Sequence, residues 1–263
     1  MTHIPARPSI SSIPRTGGGA WLLEVHDRLG STSDLCRERL DAGQGANGVA
    51  ILALKQTAGR GSRGREWSDP GGNLALSVML MGQGADDVPV GLWPFIAGLA
   101  LYDAVADFLP AGHRLELKWP NDLLLDGRKM AGILIETGSA GGIAWQVIGM
   151  GVNLRCAPVI AGRDVACLAE CGGDVPTAPD MAQVLLRRLD GWLACHAAQG
   201  FGAIRTAWLE RGHPVGTKID VKAGNRQFSG TFAGLADDGI LLLHTASGPV
   251  RVVTGEVLLA PRG

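Results

Sequence analysis

No apolar run in this 263-residue chain reaches the roughly 18 residues that a membrane-crossing helix needs. The first twenty residues, MTHIPARPSISSIPRTGGGA, also lack the apolar centre of a signal peptide and read as a disordered lead-in over 1–19. An excess of either charge is missing as well. Lys and Arg number 24 against 25 Asp and Glu, for a formal net charge of −1. Nothing global therefore points to nucleic acid or to a membrane surface, and any basic surface must be local. Cysteine is scarce and odd in number. Cys36, Cys156, Cys167, Cys171 and Cys195 contain no CxxC pair, and no His stands beside Cys167 and Cys171 in the sequence as a metal ligand. A disulfide framework and a zinc set are both unsupported, so the five read as reduced thiols of a cytoplasmic protein. There is no internal repeat, no helix-turn-helix segment, and no GxxxxGK[ST] phosphate loop.

What is present is hydrophobic residues at 46%, enough for one large core or a large and a small one, with 39 Gly and 14 Pro that imply many tight turns. The pattern predicts a strand near 21–26 and a helix over 33–42 that stops at Gly43. GVAILAL (48–54) is the short continuous apolar run of a buried strand, and NLALSVML (73–80) reads as another. Residues 91–108 have apolar positions at helical spacing and predict an amphipathic helix. RLELKWPNDLLLDGRKMAGILIETG and IAWQVIGMGVNL are strand-like, with Asp126 and Gly127 as a hairpin turn. Asp180 with Gln183 resembles a capping box opening a helix to about 197, and another helix covers about 201–211. From Gly216 the texture changes to short strands joined by Gly-rich turns, as in an SH3-like barrel. The expected fold is α+β: a mixed sheet with helices packed on one face over 20–214, then a small barrel over 215–263.

Chemistry concentrates in four stretches. GRGSRGREW (59–67) leaves a buried strand through KQTA and enters another strand. Its glycines allow positive φ and close approach of backbone N–H groups to an anion, and Arg60, Arg63 and Arg65 add bidentate donors. No GxGxxG opens a helix here, so it is no dinucleotide fingerprint. On its own the loop also fits a flexible basic segment or an RNA contact. KWPND (118–122) adds Lys118, Asn121 and Asp122, KMAGILIE (129–136) adds Lys129 and Gly132, and GMGVN (149–153) adds Asn153 at a strand end.

In this order and spacing, KQTAGRGSRGREW, KWPND, KMAGILIE and GMGVN resemble the biotin protein ligases, the biotin–[acetyl-CoA-carboxylase] ligases. The likeness covers about residues 21–260. With some twenty residues ahead of its first strand, the chain looks like the short form that lacks the N-terminal winged-helix repressor domain.

The resemblance implies an enzyme that makes biotinoyl-5′-AMP from biotin and MgATP, then passes the biotinoyl group to one lysine of a biotin carboxyl carrier protein or domain. It implies that Ser31, Thr32, Gln56, Gly59 and the Arg60 backbone hold the ureido ring of biotin. Ser33 stands where the family usually has Asn. Trp67 and the strand containing Gly132 would wall the rings and valeryl chain. Burying about 200 Å² of apolar surface there would contribute about 5 kcal/mol before binding costs. Arg63, Arg65, Trp67, Asn121 and Asn153 would hold the adenylate, and Lys129 would bridge the biotin carboxylate and the α-phosphate, with Arg60 also in the catalytic set. Asp122 has two roles open to it, placing Mg²⁺ on the ATP phosphates or taking the proton of the carrier lysine. Lys118 either anchors Asp122 or touches phosphate. No dedicated metal site, DNA or membrane partner is implied. Some family members dimerise edge to edge through the central sheet, though no residue here compels a homodimer. The neighbouring readings are a lipoate–protein ligase and, in another class, a nucleic-acid-binding module built on the RG-rich loop.

Overall fold

The computed structural model describes residues 8–82 and 87–258. Thirteen strands and three long helices follow one another among them. An eight-stranded sheet has the order β1-β2-β3-β4-β8-β7-β6-β5, with β1 Ser9–Pro14, β2 Ala20–His26, β3 Val49–Ala53, β4 Leu74–Met81, β5 Leu115–Lys118, β6 Asp122–Leu125, β7 Arg128–Ala140 and β8 Ile143–Val152. Only β2 and β3 run parallel; the other neighbours are antiparallel. Crossing from β2 to β3 needs a connection, and helix α1, Thr32–Asp41, supplies it.

Side chains of the central strands alternate strictly between two cores. Ala50, Leu52, Val78, Leu80 and Ile148 join the large core with α2 (Trp93–Ala106) and α3 (Ala178–Arg211). Val49, Ile51, Met79 and Val147 meet Cys36 and Leu40 of α1 in a smaller one. Helices therefore lie on both faces of the sheet, not on one as expected. The smaller face matters because α1 covers only part of it.

Three local expectations change. The lead-in is not disordered over its described part: residues Ser9–Pro14 pair with β2, Ile13 is buried, and Thr16 ties the segment to Asp190 of α3 through its N–H at 2.6 Å and its hydroxyl at 2.5 Å. Residues 1–7 lie outside the described residues. Helix α2 is not amphipathic but buried on most sides, because α3 packs along its outer face. The N-cap of α3 is Thr177, whose hydroxyl oxygen accepts from the Asp180 N–H at 3.3 Å, so Asp180 and Gln183 form no capping box. The expected boundary between two helices is present, because Gly200, at φ 70° and ψ −173°, interrupts α3 between them.

The C-terminal strands β9 (Lys218–Ala223), β10 (Arg226–Leu235), β11 (Leu241–Thr245), β12 (Gly248–Val252) and β13 (Glu256–Leu258) form an antiparallel sheet in the order β12-β11-β10-β9-β13. This sheet shares the large core with the first. The Trp119 indole N–H donates to the Gly239 carbonyl at 3.2 Å, and a Cβ on Gly239 would come within 2.5 Å of Phe95. Glu256 of β13 thereby reaches the rim of the first sheet.

Candidate functional site

The part of the sheet that α1 leaves uncovered is floored by backbone. Gly132 pairs with Gly151 across β7 and β8, Leu134 pairs with Gly149, and Gly149 pairs with Ser77 of β4. All three glycines would project side chains into the same slot. A Cβ on Gly149 would sit 3.0 Å from the Ser33 hydroxyl, and one on Gly151 would sit 2.5 Å from the Trp67 indole. Glycine here makes room for flat groups on the sheet.

One end of the slot is polar. Ser31 caps α1, its hydroxyl accepting from the Asp34 N–H at 3.4 Å. The Thr32 N–H donates to the Gln56 side-chain oxygen at 2.8 Å, and the Thr32 and Ser33 hydroxyls stand 2.7 and 2.9 Å from the Ser77 hydroxyl. Ser31, Thr32, Ser33, Gln56 and Ser77 are all buried. Asp69 fixes the turn that carries Gln56 by accepting its N–H at 2.9 Å. Ser33, the departure from the family pattern, thus points into the slot and pairs with Ser77.

The basic loop is folded as a tight hairpin. The Trp67 N–H donates to the Gly59 carbonyl at 2.9 Å and the Gly61 N–H to the Arg65 carbonyl at 2.7 Å, while Arg63 and Gly64 take φ near 60° and 71°. A Cβ on Gly59 would collide with the Trp67 carbonyl. All three arginines hold carboxylates. Arg60 reaches Asp34 of α1 at 3.0 Å and Glu136 of β7 at 2.6 Å. Arg65 straddles Glu256 at 3.0 and 3.1 Å and also donates to the Ser62 hydroxyl at 3.1 Å, and Arg63 meets Glu256 at 3.3 Å. The Arg60 side chain thus clamps the base of the loop to α1 and β7 and lines the slot.

Lys129 and Asp122 face each other because of a register shift in the β6–β7 ladder: Leu123 pairs with Ala131 but Leu124 with Lys129. This β-bulge brings Lys129 and Gly132, three residues apart, to the same side. The Lys129 ammonium lies 2.5 Å from one Asp122 oxygen and Lys118 lies 3.1 Å from the other. Burial pushes the Asp122 carboxyl up, but the two ammonium groups overcome it and hold the carboxyl below its ordinary value. Lys129 also stands 5.9 Å from the Trp67 ring centroid.

Two cavities meet here. The slot itself encloses about 50 Å³, and a wider cavity of about 330 Å³ adjoins it. The wider one is lined by Arg65, Lys118, Asp122, Asn153, Arg163 and Glu256, and Trp67 and Lys129 line both. Asn121 sits in the slot and donates to the Ile133 carbonyl at 2.7 Å. Asn153 donates to the Ala166 carbonyl at 3.1 Å, which fixes its amide and leaves its buried carbonyl oxygen without a hydrogen-bond partner. Of the expected residues, Gly59 and Arg63 line neither cavity. Ser77, Asp34, Glu136, Arg163 and Glu256 were not anticipated. Glu136 alone lay inside a quoted motif; the others come from segments whose approach only the fold reveals.

The sequence matches the Biotin/lipoate A/B protein ligase family over residues 25–153 and the Biotin protein ligase C terminal domain over residues 216–259. It is 38% identical over 237 residues to the biotin–[acetyl-CoA-carboxylase] ligase of Paracoccus denitrificans, spanning 87% of this chain and 98% of that one. It is 32% identical over 249 residues to the enzyme of the same description from Mycobacterium tuberculosis, spanning 92% and 90%. Its fold is similar to that of the biotin protein ligase from Aquifex aeolicus solved with biotin and ATP, with a TM-score of 0.75, 24% identity, and 90% and 97% of the two chains covered. On the similarity to the Paracoccus denitrificans ligase, which runs through nearly all of both chains, this chain belongs to the biotin protein ligase family.

Proposed function

We propose that this protein is an ATP-dependent ligase that forms biotinoyl-5′-AMP from biotin and ATP, then transfers the biotinoyl group to a lysine of a biotin carboxyl carrier protein or domain. The observation that carries this reading is the position of Lys129 on the wall shared by the two cavities. The slot, with a polar end and a glycine floor, suits a ureido ring and an apolar chain. The wider cavity, rimmed by cations, suits the nucleotide.

In the first step a carboxylate oxygen of biotin attacks the α-phosphorus of ATP, and the bond to the pyrophosphate oxygen breaks. Two anions must meet for this, and an ammonium group at the seam lowers the barrier electrostatically. In the second step the carrier amine attacks the acyl carbon and AMP leaves. Asn153 supports adenine binding, because its unpaired buried oxygen accepts an amine donor. Asp122, with its carboxyl held below the ordinary range, is a weak base, so its work is to orient Lys129 and Lys118. Both Asp122 oxygens are engaged by ammonium groups, which does not fit direct metal ligation. Magnesium would enter with the ATP phosphates.

The match of residues 216–259 to a biotin ligase domain favours biotin over lipoate. The loop arginines are already paired with Asp34, Glu136 and Glu256, which weighs against a nucleic-acid contact. The test is ATP–pyrophosphate exchange with biotin, with lipoate, and with neither. Exchange that depends on biotin alone is expected, and exchange with lipoate alone or with no acid would overturn the reading.

A further inference from the structure

Around the tip of the β6–β7 hairpin, among residues that line neither cavity, three metal-binding side chains of different chemistry converge. His113 precedes β5, Asp126 occupies the β6–β7 turn at φ 50°, and Cys171 ends the short helical turn Leu168–Cys171. One donor atom from each lies within 4.8 Å of the other two. The sequence places no His near Cys171; the fold brings one from 58 positions away by residue number, together with a carboxylate. We propose that His113, Asp126 and Cys171 form a site for a borderline divalent transition-metal cation, such as zinc, outside the catalytic cavities.

The donor set selects the ion. A thiolate and an imidazole favour zinc, cobalt or nickel over magnesium and calcium, which take oxygen ligands. The charge also balances: a thiolate and a carboxylate together neutralise one divalent cation, and neighbouring Arg128 is already tied to Glu170 at 2.7 Å. Access is open, with His113 and Asp126 side chains 30% and 39% exposed. The fit needs small movements. Bonds of about 2.0–2.3 Å set tetrahedral donor separations of about 3.3–3.7 Å. His113 Nδ1 now stands 2.7 Å from one Asp126 oxygen and must open slightly, while the thiol already lies within 4.8 Å of both donors. The other Asp126 oxygen accepts the Arg114 N–H at 2.8 Å, which orients the carboxylate. Among the described residues the Cys171 thiol makes no hydrogen bond that a metal would have to break. A thiol ligates a metal only as the thiolate, so the metal displaces a proton on binding.

A bound ion would join the tip of the hairpin that carries Asp122 and Lys129 to the segment that follows Val165, which itself bridges to Lys129. The experiment uses the full chain without an affinity tag, stripped with EDTA and kept reduced, and titrates it with cobalt(II) and then zinc(II). The expected result is a thiolate-to-cobalt charge-transfer absorption that saturates at one ion per chain, is bleached by zinc, and is accompanied by proton release. Cys171→Ser and His113→Ala should each abolish the absorption and weaken zinc binding at least tenfold by calorimetry. Cys156→Ser, which removes an exposed thiol elsewhere, should keep it. Biotin-dependent exchange activity in each variant verifies its fold independently of the metal. Absence of the absorption, its survival in Cys171→Ser, or its loss in Cys156→Ser would overturn the assignment.

Discussion

Replacing Asp122 and replacing Lys129 should have opposite profiles, although the two side chains touch. In Lys129→Ala, Asp122 keeps Lys118 at 3.1 Å, so no buried charge is stranded. The stability loss should be about 1 kcal/mol or less, as for other partly exposed ion pairs. The rate loss should be large, on the order of 10²–10³, the usual effect of removing a group that stabilises transition-state charge. In Asp122→Asn two ammonium groups are left facing a neutral amide. Their side chains are 27% and 14% exposed, so water screens them only in part. Breaking a buried pair by removing one partner costs about 3–5 kcal/mol, and the exposure of Lys129 places this case near the lower end.

The same pair sets an acid limit. Because the folded carboxyl lies below its ordinary value, the unfolded chain binds a proton there more readily than the folded one. The stabilisation is therefore fully present above the unfolded carboxyl range, near pH 4, and is lost as pH falls through the lower folded value. Urea unfolding of wild type and Asp122→Asn at several pH values checks this. The gap between them should be constant from neutral pH to about 5 and shrink below about 4. Equal stability of the two at pH 7 would refute the argument, as would a Lys129→Ala variant destabilised as much as Asp122→Asn or one with near-normal exchange.

Gly151→Ala should raise the biotin KM about tenfold or more, because the backbone tolerates alanine but its Cβ falls 2.5 Å from the Trp67 ring, where a shift of about 1.4 kcal/mol suffices; an unchanged KM would mean that Trp67 does not wall the slot. Glu256→Gln should free Arg63 and Arg65 at a cost of about 1 kcal/mol, so trypsin should cut the loop several-fold faster, and an unchanged rate would show that Glu256 does not latch it. Ser62→Arg adds a cation where both cavities meet, and charge-assisted hydrogen bonds contribute about 1.5–3 kcal/mol, so biotinoyl-AMP should dissociate about tenfold more slowly in stopped flow. Equal rates would leave Ser62 as a loop residue that only seats Arg65.

Local signals in the sequence carried the strands and the motif residues. The uninterrupted GVAILAL run gives a strand buried on both faces, and Asp126 with Gly127 takes positive φ at both positions, as a two-residue hairpin requires. Strand β1 was hidden because its burial rests on Ile13 alone, with Pro14 and three glycines beyond it. The one-sided helical pattern of α2 concealed its burial, because what covers its other side is α3, some eighty residues later. The arginine loop announced its need for anions, but not that Asp34, Glu136 and Glu256 from three separate elements already answer it. Spacing along a chain does not report which carboxylate is near in space, and the convergence of His113, Asp126 and Cys171 was invisible for the same reason.

The bulge in β6–β7 shows how a single residue of register decides the chemistry. In an unbroken strand Lys129 and Gly132 would face opposite sides, since side chains alternate with period two. Lys129 would then point with Ala131 and Ile133 into the large core, and Met130 would point with Gly132 into the slot. An unpaired ammonium in that core would cost several kcal/mol. The register shift instead leaves Met130 in the large core, fully buried beside Ala131, and turns Lys129 out to the seam. There Asp122, at the start of the paired strand, offsets its charge. The triplet Lys-Met-Ala, one charged residue before two apolar ones, is therefore a structural instruction as much as a chemical one. It allows the bulge because both apolar residues can be buried, and the bulge places the cation on the wall that the two cavities share.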